Sequence, residues 1–301
     1  LPRTEDEVPV IEPPTSTSPS MSPPSRAAAA LAAPSLRATV ARYARLLRVQ
    51  ARVAVISAMQ YRADFLVRGS IALLWTGVTL VPILVVYGSR KSVAGWSFPE
   101  ALVVVGWFTL LKGILEGAIS PSLTAVVEHV RKGTLDFVLL KPADAQFLVS
   151  TASFEPWRAL DLISALAIFS YAFRQLHRWP SWSAVMLALL FLGVAVLVLY
   201  AIWILVVSAA FWVVKVDNLS YLFGSLFDVA RWPINVFEGA LRIVFTFVFP
   251  VAIMTTFPSL ALLGKLALSD AALAVVGAVA FAAIARQVWM RALGHYTSAG
   301  G

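Results

Sequence analysis

The sequence predicts an all-α integral membrane protein. Six transmembrane helices are expected, with an interfacial amphipathic helix ahead of the first and a cytoplasmic helical segment between spans 2 and 3. Three observations carry this. Of 301 residues, 59% are hydrophobic and only 13% are charged, with a mean hydropathy of +0.81; a soluble domain carries about 25% charged residues. Apolar runs of about 20 residues, long enough to cross a bilayer as helix, recur along the chain. Lys and Arg, the source of a formal charge of +8, gather in alternate connections.

Composition also excludes. The chain has no cysteine, so it has no disulfide framework, thiol nucleophile or thiolate metal site. His129, His177 and His295 are far apart and form no ligand pair. No metal site and no catalytic constellation are expected. In an apolar chain the positive charge reads as topology and contact with membrane lipids, not as nucleic-acid binding.

Residues 1–35 differ from the rest. The stretch 12-EPPTSTSPSMSPPS-25 is rich in Pro and Ser and cannot build a core, so a disordered tail is expected. The apolar run 27-AAAALAAP-34 is short for a secretory signal. Met21, the first methionine, is a candidate start. Over 36–66, Arg37, Arg42, Arg45, Arg48 and Arg52 recur at helical steps, with Val40, Tyr43, Leu47 and Val53 or Ile56 turned away. Such a helix lies on a membrane surface, with Arg42, Arg45, Arg48 and Arg52 toward lipid headgroups.

The six-span domain, 67–301, follows. Spans are read at 69–88, 98–120, about 150–174, about 183–213 and 269–292. The region 217–258 holds one of two arrangements. An interfacial helix at 219–231 precedes a span at 234–257, or a short ascending helix precedes a re-entrant hairpin broken at Pro233 and Pro250. Both leave six crossings. Arg37 to Arg68, Arg131, Lys132, Lys141, Lys215, Arg286 and Arg291 fall on one side. Arg90, Lys91, Arg174, Arg178 and Lys265 fall on the other. The larger set marks the cytoplasm, so both termini and the 126–146 segment are expected there. Trp75, Trp96, Trp179, Trp182, Trp212 and Trp289 lie mostly near span ends, as interfacial aromatics do.

The segment 126-VVEHVRKGTLDFVLLKPADAQ-146 is a polar island between two spans. Ser122 to Lys132 has helical spacing, and Gly133 suits a left-handed cap. Thr134 is placed to cap the next turn, with Asp136 at its positive end. Leu135, Val138 and Leu139 form a small apolar face. Pro142 stops that helix, and Asp144 is placed to cap the helix of the third span. Two short helices on the cytoplasmic face are therefore expected; an ordinary surface loop is the alternative from local physics alone.

Charges inside spans come next, since each costs about 2.5–3.5 kcal/mol at a membrane centre. Glu116, near the end of the second span, is expected to be solvated. Glu155, Arg158 and Asp161 recur at i, i+3 and i+6 and are placed to pair in series. Asp228 with Arg231, and Glu238 with Arg242, are placed to neutralise each other. Such groups line a translocation path or are structural pairs at span ends; the residues leave both open. Gly113 and Gly117 form a G-x-x-x-G motif, common by chance in spans. Trp107, Phe108, Trp157, Phe191, Trp203 and Phe211 suit an amphipathic cargo and suit lipid contact equally.

The run V-R-K-G-T-L-D-F-V-L-L-K-P at 130–142 resembles the cytoplasmic segment of type-2 permeases, the six-span membrane subunits of ABC exporters. A basic residue, Gly, Leu-Asp, Leu-Leu and a basic residue before Pro recur there. The resemblance extends to 61-YRADFL-66, 232-WPINVFEGALR-242, 248-VFPVA-252 and 289-WMRALGHYTSAG-300, covering most of 55–301. It implies a permease dimer, with a second copy or a paralogue, in a bacterial cytoplasmic membrane. It implies separate ABC ATPase subunits contacting this segment, with Glu128, Arg131, Gly133, Asp136, Leu139 and Pro142 as the coupling element. ATP and Mg would be bound by that partner, with no cofactor in this chain. The nearest approach to a phosphate loop here, 88-GSRKS-92, has Arg90 in place of Gly and no strand before it. The E-A-A loop of importer permeases is absent, which favours export.

Two other functions are weighed. An ion-coupled secondary transporter would use Glu155, Arg158 and Asp161 as a relay, and predicts inverted repeats that the two halves do not display. An intramembrane enzyme would need a clustered His, Asp or Ser constellation, and none is visible.

Overall fold

The computed structural model describes residues 36–212 and 217–295. The tail expected to be disordered (1–35), Lys215 and the last residues of the C-terminal motif (296–300) lie outside the described residues. The chain divides into two compact units, Leu1–Arg45 and Leu46–Gly301. Of the first, the described part is the opening of helix α1 (Leu36–Gln60), where Arg37, Arg42 and Arg45 are exposed.

In the second unit, Arg48 and Arg52 of α1 are exposed, while Gln50 and Ala54 are half-buried. The helix breaks at Tyr61, whose backbone leaves helical geometry. Helix α2 (Arg62–Ser89) then carries the first span, starting ahead of the expected residue 69. A two-residue hairpin of β1 (Ser92–Val93) and β2 (Trp96–Ser97) leads to helix α3 (Phe98–Ile114). Glu100 closes a capping box on Ser97 at the start of α3, accepting from the Ser97 amide at 2.9 Å.

Helix α3 is the centre of the fold. Ala101 through Thr109 are all buried, so it is enclosed around its whole circumference. Its largest partner is helix α7 (Ala159–Gln175). Gly106 makes the approach possible, since a Cβ there would meet the Phe169 ring at 2.6 Å. A π-helical turn (Leu115–Ile119) joins α3 without interruption to helix α4 (Ser120–Arg131). The sequence placed a separate short helix at 122–132; it is the continuation of the second span beyond its apolar part.

Helices α5 (Asp136–Leu139) and α6 (Ala145–Ser150) follow, then a 3-10 turn (Pro156–Arg158) into α7. The third span therefore starts at Ala159, not near residue 150. Pro156 and the extended Glu155 break the helical spacing that the sequence suggested. Helix α8 (Trp182–Ser208) is the fourth span, and helix α12 (Leu268–Gly294) is the last.

Between them the chain is broken. Helix α9 (Asp217–Phe227) runs into a 3-10 turn ending at Arg231. Helix α10 (Gly239–Ile243) with its π-helical extension reaches Val248, and a π turn from Ala252 leads into helix α11 (Phe257–Leu262). Three contacts give the path. The Phe223 and Phe249 rings are 5.9 Å apart, Thr255 Oγ1 donates to the Ala230 carbonyl at 2.8 Å, and the Ile234 amide donates to Thr256 Oγ1 at 3.1 Å. Because both partners rise in number together, 223–234 and 249–256 are parallel. The segment between them must run back, making a hairpin with breaks at Pro233 and Phe249–Pro250. Of the two arrangements expected, the structure has the hairpin.

The fold is all-α and membrane-spanning. Among the described residues four helices are long and apolar enough to cross a bilayer: α2, the α3–α4 rod, α8 with its 3-10 end, and α12. The other two expected crossings fall on the seventeen-residue α7 and on the shorter apolar Ala252–Leu262 helix. The ends sort as the basic residues predicted. Lys265 meets Glu100 at 2.5 Å and Arg178 donates to the Leu263 carbonyl at 2.9 Å, gathering one end. Arg286 meets Asp144 at 2.6 Å at the other.

Candidate functional site

Two polar regions stand out, one at the end of the bundle and one inside it. The first is the 126–146 segment. Helix α4 ends in a Schellman motif: the Gly133 amide donates to the Val130 carbonyl at 3.2 Å, and the Thr134 amide to the His129 carbonyl at 2.9 Å. Gly133 sits at φ +66, the left-handed conformation this cap requires. Glu128 pairs with Arg131 at 2.6 Å and with Lys132 at 3.2 Å on the outer face of that last turn. Thr134 does not cap α5 as expected; its hydroxyl lies 2.8 Å from His129 Nδ1, and Leu135 holds the cap position without a side-chain bond.

Leu135 is fully buried and Val138 packs on the core, which fixes one side of α5. Leu139 does not join them. It is exposed, together with Phe137 (72%) and Leu140 (81%). Pro142 follows the turn and is exposed, and Asp136 opens α5. The result is a tip with three exposed apolar side chains, flanked along the chain by Arg131, Lys132 and Lys141.

Asp144 caps α6, accepting from the Phe147 amide at 3.0 Å, rather than the third span. It also binds Arg286 of α12, and Arg286 bonds to Gln146. Gln146 donates to the Tyr200 hydroxyl of α8 at 2.9 Å, and Ser150 Oγ is 2.7 Å from the same oxygen. Partial burial pushes the Asp144 carboxyl up, but bonds from Arg286 and the Phe147 amide outweigh it and hold the group below the ordinary carboxylate range. This network ties the 126–146 segment to spans 4 and 6. The sequence contained no signal for it beyond the Asp144 cap.

The second region lies where α3 passes α7. Arg158 bonds to Glu116 and, at 3.1 Å, to Asp161, and lies 4.1 Å above the Trp157 ring. Lys112 stands 3.9 Å from Glu116 and 3.7 Å from Asp228, and Arg231 is 3.7 Å from Asp228. Glu116 is thus paired, and its side chain stays 32% exposed. The expected series Glu155–Arg158–Asp161 does not form: Glu155 accepts from Trp157 Nε1 at 2.6 Å, and its amide donates to the Gly117 carbonyl at 2.8 Å. Asp228 and Arg231 do pair. Glu238 and Arg242 are both exposed and form no ion pair with each other among the described residues.

The sequence undervalued two features here. A Cβ on Gly113 would meet the Asp161 side chain at 2.8 Å, and one on Gly117 the Arg158 side chain at 3.0 Å. The G-x-x-x-G motif is what admits the charged pair against α3. Lys112, at i−4 from Glu116, was legible as a pair but was passed over. Of the aromatics that suit cargo and lipid equally, Trp107, Phe108, Phe191 and Trp203 are buried in the core, and Phe108 also lines a cavity beside Lys112.

Among the described residues no group of His, Asp and Glu is placed to hold a metal ion. The model described as ABC-2 family transporter protein matches residues 73–300, well over half of the chain. No curated protein and no solved structure matches.

Proposed function

The chain belongs to the ABC-2 family of transporter proteins, membrane permeases that work with ABC ATPase subunits, and we propose that it is the translocating half of an exporter, dimeric and driven by separate ATPases docking on the 126–146 segment. One observation carries this reading: the exposed apolar tip Phe137, Leu139 and Leu140, held by a capped helix on one side and by Asp144–Arg286 on the other. Exposed apolar side chains flanked along the chain by basic residues fit a protein partner better than water. ATP-driven closure of the ATPases would push this tip. The push would reach span 2 along the unbroken α3–α4 rod, and spans 4 and 6 through Tyr200 and Arg286. Each state must make different contacts for such a push to do work.

The orientation follows the basic residues, with both termini and the tip in the cytoplasm of a bacterial inner membrane. The secondary-transporter reading lacks its relay, because the Glu155 carboxylate bonds to Trp157 and only Arg158 and Asp161 of the three form an ion pair. Docking is tested by co-purification of an ABC ATPase with the tagged chain. Phe137→Asp and Leu140→Asp each put a charge on the tip without touching the core, and should abolish co-purification while thermal stability is unchanged. An ATPase retained by both variants would contradict the docking site.

A further inference from the structure

A cavity of about 320 Å³ opens beside the intramembrane charges, between α2, α3 and the turn after α9. Its polar wall includes Lys112, Asp228, Thr76, Thr79 and Thr109, with Trp75 on its rim. Lys112 lies about 21 Å along the helix from Phe98 at 1.5 Å per residue, so the cavity sits within the hydrocarbon layer, on the side of the 126–146 segment.

The valences on its wall are not all filled. Arg158 bonds to one oxygen of Glu116 and one of Asp161, and its Nε has no partner. Lys112 and Asp228 make only longer contacts. The nearest acceptors to the Lys112 ammonium are at 3.7 and 3.9 Å, and the nearest donors to the Asp228 carboxylate are both at 3.7 Å, beyond a good hydrogen bond. A cation and an anion 3.7 Å from each other, held only by longer ion pairs and by no short hydrogen bond, therefore share one cavity. The hydroxyls of Thr76, Thr79 and Thr109 each donate to a carbonyl of their own helix at 2.9–3.0 Å, which leaves their oxygens free to accept. Trp75 and Ile71 are exposed in the single chain, so the cavity opens on the outer face of α2.

We propose that this cavity binds a zwitterionic group, its anion on Lys112 and its cation on Asp228 with the threonine oxygens. The source is the headgroup of a zwitterionic lipid, with its chains leaving past Trp75 and Ile71, or a free zwitterion. A purely anionic headgroup would leave Asp228 facing it, and a purely cationic amphiphile would leave Lys112. The proposal goes beyond the export reading and stands without it.

The test is native mass spectrometry of the full chain in detergent, offered equal dioleoyl-phosphatidylethanolamine and dioleoyl-phosphatidylglycerol. Retention of phosphatidylethanolamine should exceed that of phosphatidylglycerol about tenfold, the value of one charge-assisted hydrogen bond. Lys112→Met and Asp228→Asn should each erase the preference. Thr76→Phe, which fills the cavity and leaves every charge in place, should erase it too while the unfolding temperature is kept. Displacement of the lipid by soluble glycerophosphoethanolamine assigns the site to a free zwitterion; resistance assigns it to a lipid. Both support the proposal. Equal retention of the two lipids, stronger retention of dodecyltrimethylammonium, or a preference that survives Thr76→Phe overturns it.

Discussion

At the residue scale the account turns on Arg158. It is one of few cations held inside the bundle, and it is fixed by Glu116 from α3, by Asp161 from α7 and by the Trp157 ring. Removing one partner from a buried pair leaves an uncompensated charge, at a cost of about 3–5 kcal/mol. Arg158→Ala strands two carboxylates, Asp161 being nearly fully buried, and should lower thermal stability by about 3 kcal/mol. The triple change of Arg158→Leu, Glu116→Leu and Asp161→Leu should recover most of that; equal loss in both would show that the charges do not interact. Gly113→Val tests the neighbouring contact. Overpacking costs about 1–3 kcal/mol, and the added carbons would strike Asp161, so the variant should unfold earlier than Gly277→Val, where nothing lies within 4 Å. These residues were visible in the sequence, but their partners were not. Spacing along one helix suggested Glu155, Arg158 and Asp161, whereas Pro156 unwinds that stretch and a glycine pair on another helix takes Arg158 in.

At the scale of elements, the proposed coupling uses the rod from Phe98 to Arg131 and the tip beyond it. Sequence punctuation read the Gly133 cap and Pro142 correctly, because backbone conformation at those positions depends on the residue itself. It misplaced the jobs of Thr134 and Asp144, because their partners are set by tertiary packing. The Asp144–Arg286 contact gives a pH prediction. The folded-state carboxyl is held below its ordinary value, so its stabilisation is complete above the unfolded value of about 3.9. It is lost as pH falls through the lower folded-state value. The unfolding temperatures of the native chain and of Arg286→Gln should therefore differ by a constant amount from neutral pH down to about 5, and converge only below about 4. A difference that closes near neutral pH would contradict this.

At the scale of the whole molecule, composition was enough for the class. Low charge, long apolar runs and uneven basic residues gave an all-α membrane protein and sorted its ends, which Lys265–Glu100 and Arg286–Asp144 then gather as expected. The broken stretch before α11 was legible only as two options, since Pro233 and Pro250 mark breaks but do not say which way the chain turns. The parallel contacts of 223–234 with 249–256 decide it. The absence of cysteine makes the central claim, that an ATPase seats on the cytoplasmic tip, directly measurable. A chain carrying the single change Leu140→Cys, in membranes with its co-expressed ABC ATPase, is treated with a short bifunctional maleimide. With single cysteines placed in turn on the ATPase surface as the second thiol, the account predicts a cross-linked permease–ATPase product from Leu140→Cys and none from Leu268→Cys, exposed at the opposite end. An ATPase that couples transport yet gives no product at Leu140→Cys, or gives it equally at Leu268→Cys, would contradict it.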